Sequence, residues 1–135
     1  MRRYLLDTGI MGAFIDHQPP VADRVREVRR RGDRIGTCFP VICELSYGVE
    51  FSASPDENLR RLVRSVSGIS CWPLDRKAAQ EYGKLAAELR RIGRPMQQID
   101  IQTAAISLAL GNCTVVSRDS DFTTIRGLTL ENWVT

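Results

Sequence analysis

Short apolar runs alternate with longer helical segments along this chain of 135 residues. The runs RYLL, RIGTCF, ISCWPL, CTVVS and LTLEN are four to six residues long. They are rich in apolar, β-branched or aromatic residues, which is typical of strands, and the segments between them carry helical spacing. The pattern therefore predicts four strands separated by helices, with a fifth strand close to the C-terminus.

Start and stop signals place six helices between these strands. Proline stands at the first position of several of them, and we expect Ser54 and Asp75 to cap the helices that they precede. Glycines that favour helix ends follow at Gly32, Gly93 and Gly111. The predicted helices span residues 9–15, 20–31, 40–51, 55–66, 76–92 and 100–110.

Strands that alternate with helices predict an α/β fold in which a parallel sheet lies between two helical layers. No linker, repeat or low-complexity segment divides the chain, so we predict one domain over residues 1–135. Functional sites in such sheets form at the carboxyl ends of the strands, around the point where strand order reverses. This rule determines which polar residues can come together.

Composition narrows the class of protein. The chain is 43% hydrophobic and 26% charged, as expected of a globular domain. Asp7 interrupts the apolar run near the N-terminus, which predicts neither a signal peptide nor a membrane span and favours a cytoplasmic location. Four cysteines without a CxxC pair, together with one histidine, exclude zinc-site spacing and predict mostly buried thiols of a reducing compartment.

Acidic residues recur at the predicted strand exits and first helical turns. Asp7 ends the first strand, Asp119 and Asp121 follow the strand CTVVS, and Glu44 lies one turn into the helix after the second strand. Asp100 opens a helix that is apolar nearly all round. Singly, each has a simpler interpretation as a turn, cap or surface residue. Together they occupy positions that the topology would gather at one edge of the sheet.

Gathered carboxylates repel one another unless a cation lies between them. Oxygen ligands without His or Cys suit Mg²⁺ or Mn²⁺. Such an ion activates a water molecule and stabilises charge on a phosphoryl group. The acids therefore predict a metal-dependent hydrolase.

Arginine-rich segments complement the acids. The net charge is +3, and arginines crowd the segments RVREVRRRGDR, LRRLVRS and LRRIGR. The simplest interpretation of each is a solvated helix face, but the guanidinium group also matches phosphate. We select Arg60 and Arg64 as candidate RNA-binding residues. With the acids, they indicate hydrolysis of a nucleic-acid phosphodiester.

The segments LLDTG, CELSYG, DIQTAAISLALG and VVSRDSDFTTIRGLTLENW resemble, in order and spacing, the PIN-domain ribonucleases of the VapC toxin type. The resemblance extends over essentially the whole chain. It implies a three-layer α/β/α PIN-like fold with a central parallel sheet and Mg²⁺- or Mn²⁺-dependent endoribonuclease activity on RNA. It also implies a homodimer and inhibition by a cognate antitoxin in a type II toxin–antitoxin pair.

The same resemblance assigns roles to individual residues. It implies that the catalytic acids are Asp7, Glu44, Asp100 and Asp119, with metal-ligand roles for Asp7, Asp100 and Asp119. Thr8 matches a position that commonly holds a hydroxyl, and Asp121 is similar to a supporting acid. Because the segment SRDSDF is more compact than in many relatives, either Asp119 or Asp121 could be the fourth ligand. We favour Asp119, which is nearer the strand exit.

Three alternatives fit the sequence less well. A phosphoacceptor receiver domain would require an acid at the exit of the third strand and a lysine at a later one, and neither is present. A metal-independent ribonuclease would need a second acid–base partner for His17, which we expect in a loop. A catalytically inactive PIN-like module that binds RNA or protein remains the main alternative.

Overall fold

Five parallel strands form the central sheet of the computed structural model, which describes residues 1–134. The strand order is β3-β2-β1-β4-β5, and every neighbouring pair is parallel. The strands are β1 (Arg3–Leu6), β2 (Arg34–Cys38), β3 (Ser70–Trp72), β4 (Cys113–Val116) and β5 (Thr129–Glu131). This sheet, with helices flanking it, confirms the predicted α/β class and PIN-like architecture.

Strand β1 lies at the centre of the sheet. Leu5 pairs with Gly36 of β2 on one side and with Val115 of β4 on the other. Tyr4, Leu5 and Leu6 are almost fully buried. Burial on both faces explains why this strand is a continuous apolar run rather than an alternating one.

Six α-helices and one 3₁₀ helix connect the strands. They are α1 (Thr8–Ile15), α2 (Pro19–Arg30), α3 (Phe39–Glu50), α4 (Pro55–Ser67), α5 (Arg76–Arg91), α6 (Gln98–Leu110) and the 3₁₀ helix η1 (Ser120–Thr124). All six predicted α-helices are present, with ends that differ by at most two residues. The helix η1 was not predicted, because its five residues are too few to show a helical period.

Two hydrophobic clusters fix these helices. In one, Val21, Val25 and Val28 of α2 pack at helical spacing against β1 and β2. In the other, Leu89 of α5 and Ala104 of α6 contribute to a core with Val115, Phe122 and Ile125. The second cluster anchors η1 through Phe122, so the segment after β4 is held close to the sheet.

Two local predictions need correction. Asp75 caps α5 by accepting a hydrogen bond from the Ala78 N–H at 2.9 Å, as predicted, but the side chain of Ser54 makes no capping bond to α4. The cysteines are less buried than expected. Cys38 is buried, whereas Cys43 lies on the exposed side of α3. A helix exposes one face even where its residues are apolar or small.

Within residues 1–134, no helix is both long enough and apolar enough to cross a membrane.

Candidate active site

Strand order reverses beside β1, and this places several acids at one edge of the sheet. Strands β2 and β3 lie on one side of β1, and β4 and β5 lie on the other. The Asp7 N–H donates to the Val116 carbonyl at 3.1 Å, so β1 and β4 stay paired to their carboxyl ends. Asp7 and the segment after Val116 therefore leave the sheet side by side, which is the position that the sequence rule predicted.

Asp7 is buried at this edge, with 8% of its surface exposed. Its Oδ1 accepts a hydrogen bond from the Ile10 N–H at 2.9 Å and caps α1. The capping interpretation is therefore correct for Asp7. It leaves the second carboxylate oxygen free for another role, because a cap needs only one.

Ser117 joins two of the acid-bearing segments. Its hydroxyl accepts the Asp119 N–H at 3.0 Å and is close enough to the Asp7 carboxylate to lower the pKa of that group. The side chain is almost fully buried, at 2% exposure. From the sequence, Ser117 was predicted only to end the strand CTVVS. The one indication of a further role is that a small hydroxyl residue stands two positions before Asp119 at the exit of that strand.

Asp119 and Asp121 lie on the outer side of the cluster, and both are exposed. Asp119 begins η1, where its Oδ1 accepts the Asp121 N–H at 2.9 Å. Asp119 is also the acid tied to Ser117. The choice of Asp119 over Asp121 as the fourth ligand stays a prediction.

Glu44 approaches the edge from α3, and Thr8 from the first turn of α1. Both are partly exposed and line one groove of about 360 Å³ between α1, α3 and α4. The rest of its lining is Ile15, Leu45, Gly48, Val49, Ser52, Asn58, Arg61 and Leu62. A mostly apolar groove thus begins beside the acids and extends away from them.

Asp100 does not open its helix, contrary to the sequence prediction. Helix α6 begins at Gln98, and Gln97 is the capping residue but makes no side-chain cap bond. Asp100 is therefore the third helical residue, half-buried, and it is not a cap. Carboxylates in a first turn are stabilised by the helix dipole. The position still lies at the carboxyl edge, because α6 ends just before β4 begins.

The acids influence one another electrostatically. Burial raises the pKa of Asp7, Asp119 and Glu44 raise it further, and the hydrogen bonds from Ser117 and Ile10 oppose the rise. Burial also raises the pKa of Asp100 from 3.8 to about 6, with further contributions from the charges of Asp119, Asp7, Glu44 and Asp121. The other four predicted acids thus lie within electrostatic range of Asp100.

The donor chemistry fits a hard dication, although the side chains are not arranged around a common point. Among the described residues, no group of three His, Cys, Asp or Glu side chains is positioned to hold a metal ion. Burial is the main cause of the raised pKa values of Asp7 and Asp100, and repulsion between the acids, which a cation would relieve, adds to it. Carboxylate oxygens are also the ligands that Mg²⁺ and Mn²⁺ prefer.

Arg60 and Arg64 lie on the exposed face of α4. Neither forms an ion pair with any residue between 1 and 134. Their neighbour Arg61 points elsewhere, because its guanidinium pairs with Asp16 at 2.8 Å. Contact between Arg60 or Arg64 and RNA stays a prediction.

Known proteins share both the sequence pattern and the fold. The PIN domain family profile matches residues 4–128. The tRNA(fMet)-specific endonuclease VapC of Shigella flexneri is 32% identical, over 98% of this chain and 99% of that protein. Among solved structures, a chain of Rickettsia felis VapBC2 bound to a promoter DNA fragment superposes with a TM-score of 0.90 at 28% identity, covering 97% and 98% of the two chains. A chain of DNA-bound VapBC from Salmonella typhimurium gives 0.89 at 27%, covering 98% and 99%.

Proposed function

Because the chain belongs to the PIN-domain family, we propose that it is a metal-dependent endoribonuclease, the toxin of a type II toxin–antitoxin pair. The observation that carries the proposal is the placement of Asp7, Glu44, Asp100 and Asp119 at the carboxyl edge of the sheet, beside the point where strand order reverses. The relatives named as VapC nucleases, which match over nearly the whole chain, support the same reaction class. RNA is the proposed substrate.

The residues of the site have separable roles in this proposal. Asp7, Asp100 and Asp119 would hold Mg²⁺ or Mn²⁺, and Glu44 completes the catalytic set from α3. The bound ion would supply an activated water and stabilise negative charge on the phosphoryl group. The Ile10 N–H fixes one oxygen of Asp7. Asp100 would hold the ion as a carboxylate, because ligands must be deprotonated.

A cleavage assay tests the proposal. Purified protein with Mg²⁺ or Mn²⁺ should cut structured RNA at discrete internal positions, and EDTA should abolish the cutting. Asp7→Asn should reduce the rate by more than the roughly 10–100-fold typical of residues that only support metal ligands. Asp75→Asn is the matched control, since it also changes a capping carboxylate but lies outside the cluster. Equal cutting in EDTA would contradict the metal dependence.

The same assay separates the proposal from its main alternative, an inactive PIN-like module that binds RNA or protein. The absence of a pre-arranged metal-binding group within residues 1–134 is the observation that favours this alternative. An inactive module would bind RNA without cutting it in any divalent ion. Discrete, metal-dependent products would exclude it.

A cognate antitoxin would act on the acid cluster. The proposal is supported by the VapBC structures that resemble this chain and by the apolar groove that begins at Thr8 and Glu44. A partner segment lying in this groove could direct an arginine to the carboxylates, which accept such a group strongly. Co-expression with the protein encoded beside this chain should give a stable complex with little ribonuclease activity. A complex that cuts at the rate of the free toxin would contradict masking.

We also expect a homodimer. Phe39, Tyr47 and Phe51 are 50%, 66% and 77% exposed along α3 and at its end. Large apolar side chains grouped on a surface commonly mark protein–protein contacts. Light scattering coupled to gel filtration should give twice the chain mass, and a mass that stays monomeric at high concentration would contradict this part of the proposal.

A further inference from the structure

The acid cluster at the carboxyl edge of the sheet is left without ion-pair partners. None of the ion pairs among residues 1–134 includes one of its members, although Glu131, at the end of β5, pairs with Arg24 at 2.9 Å. The cluster comprises Asp7, Glu44, Asp100, Asp119 and Asp121. These carboxylates are therefore available to a cation from outside the chain.

Arg118 is a guanidinium at the same edge that is also without a partner. It stands between Ser117, which is held by contacts to Asp7 and Asp119, and Asp119, which begins η1. Its side chain is exposed and forms no hydrogen bond or ion pair with any described residue. The backbone on both sides of Arg118 is thus fixed to the acid cluster, whereas the guanidinium is free.

Acids also lie close to Arg118 in the sequence. Some arginines elsewhere in the fold pair with an acid three or four residues away, as Arg91 does with Glu88 at 3.1 Å. Others, such as Arg30 and Arg60, form no ion pair among the described residues. Arg118 has Asp119 and Asp121 within three residues and pairs with neither, so its guanidinium is available to an external anion.

We propose that Arg118 binds a phosphate of the RNA substrate beside the acid cluster. This role rests on the proposed nuclease function. A phosphodiester approaching the acids meets strong negative charge, and a cation on the same edge would offset it. The planar guanidinium can donate two parallel hydrogen bonds to the non-bridging phosphate oxygens. Arg118 would therefore be a substrate-binding residue of the site, in addition to the acids.

The test measures RNA binding and cleavage separately. Binding is measured in the Asp7→Asn background, so that the RNA stays intact, at several salt concentrations. Adding Arg118→Gln should weaken binding about tenfold, because charge-assisted hydrogen bonds to a phosphate are lost. It should also reduce the slope of log K against log salt by about 0.7–0.9, which corresponds to one phosphate contact. Arg118→Lys should keep most of the slope.

Arg126→Gln is the matched control. Arg126 is another exposed arginine, after η1, without an ion pair among the described residues, and it lies by α5 rather than among the acids. Arg126→Gln should leave the slope of log K against log salt unchanged. Because the exposed Arg118 side chain forms no hydrogen bond or ion pair with a described residue, both variants should melt at the parent temperature. If the parent enzyme cuts RNA but the salt slope is the same with and without Arg118→Gln, the proposed role of Arg118 is wrong, while the nuclease function stands. A parent that cuts no RNA in any divalent ion would overturn the proposed function instead.

Discussion

Several arginines at the amino edge of the sheet are paired within the fold, whereas the acid cluster at the carboxyl edge is not. Arg3 donates to the Gly111 carbonyl at 3.0 Å, Arg34 to Ser70 Oγ at 3.2 Å, and Arg31 pairs with Glu27 and with Asp33. At the carboxyl edge, the acid cluster and Arg118 have no ion-pair partners within residues 1–134.

This difference shows that charge density in a sequence is a poor guide to binding. The densest run of arginines, RVREVRRRGDR, supplies structural contacts. Arg29, for example, donates to the Gly68 carbonyl at the C-terminus of α4, where arginines commonly satisfy free carbonyls. The acids are scattered through the sequence and are brought together only by the fold. Charges that a fold leaves unpaired are better candidates for contact with external ligands.

Among variants that test whether the unpaired charges form the site, the largest effect is expected for Asp100. Asp100→Asn removes one of the mutually repelling carboxylates. The variant should cut RNA at most weakly, because an amide oxygen is a poorer partner for a hard dication than a carboxylate. A metal ion that binds only the folded state raises the melting temperature by mass action. Added Mn²⁺ should therefore raise the melting temperature of the wild type much more than that of the variant.

The metal-free proteins should differ in the pH dependence of their stability. The pKa of Asp100 rises from 3.8 to about 6 on folding. The contribution of this group to stability is fully present below the unfolded pKa and is lost as the pH rises through the folded pKa. Asn does not titrate, so the variant should melt roughly 1–3 °C above the wild type at neutral pH and should lose that advantage in acid. Asp75→Asn, a control at a true cap, should show neither effect. If Mn²⁺ raises the melting temperatures of the wild type and of Asp100→Asn equally, Asp100 has only a structural role.

The next largest effect is expected at Ser117. Ser117→Ala removes the hydroxyl that joins Asp7 to the Asp119 backbone, and residues that orient metal ligands typically contribute 10–100-fold in activity. Metal-dependent cleavage should fall by roughly that amount, and Ser117→Thr, which keeps the hydroxyl, should restore most of it.

Ser107→Ala provides the matched control for Ser117. Ser107 is equally buried, at 2% exposure, but its hydroxyl donates to the Cys113 carbonyl at the other end of β4. Both alanine variants should lose about 1 kcal/mol of unfolding free energy. Only Ser117→Ala should also lower the rate of metal-dependent cleavage. Equal losses of activity in the two variants would show that Ser117 acts through stability alone.

The fold was predictable because its signals are local. Apolar runs, prolines at first helical positions and glycines at helix ends specified all six α-helices and all five strands. The acids Asp7, Glu44, Asp100 and Asp119 followed from strand exits and first turns, since topology determines where those positions meet. Their electrostatic coupling is now visible in the pKa of Asp100.

The remaining features depended on tertiary contacts. The side chain of Ser117 has a role because β1 and β4 leave the sheet together, and no local pattern encodes that pairing. The first turn of α6 begins two residues before Asp100, at Gln98, without a capping side chain that could have marked it. Similarly, the partners of the arginines are distant in sequence, as in the contact between Arg61 and Asp16. A charge run therefore reveals little about which charges stay free.

The smallest expected effect concerns the exposed face of α4. Arg60 and Arg64 are without ion-pair partners, like Arg118, but they lie away from the acids. If unpaired charge marks the RNA path, the double variant Arg60→Gln, Arg64→Gln should lower the slope of log K against log salt by up to about 0.7 per lost contact. Cleavage at saturating RNA should stay at the parent rate, because neither residue reaches the reacting phosphate.

The matched control for this face is the double variant Arg31→Gln, Arg34→Gln at the amino edge. It removes the same charge from arginines that the fold already satisfies through Glu27, Asp33 and Ser70. Its slope should change less than that of the α4 variant, and its main cost should be a stability loss within about 1 kcal/mol, as for exposed pairs. If both double variants flatten the slope equally, RNA responds to total charge rather than to unpaired charge. The contrast between the two edges would then hold for the fold but would not predict the RNA path.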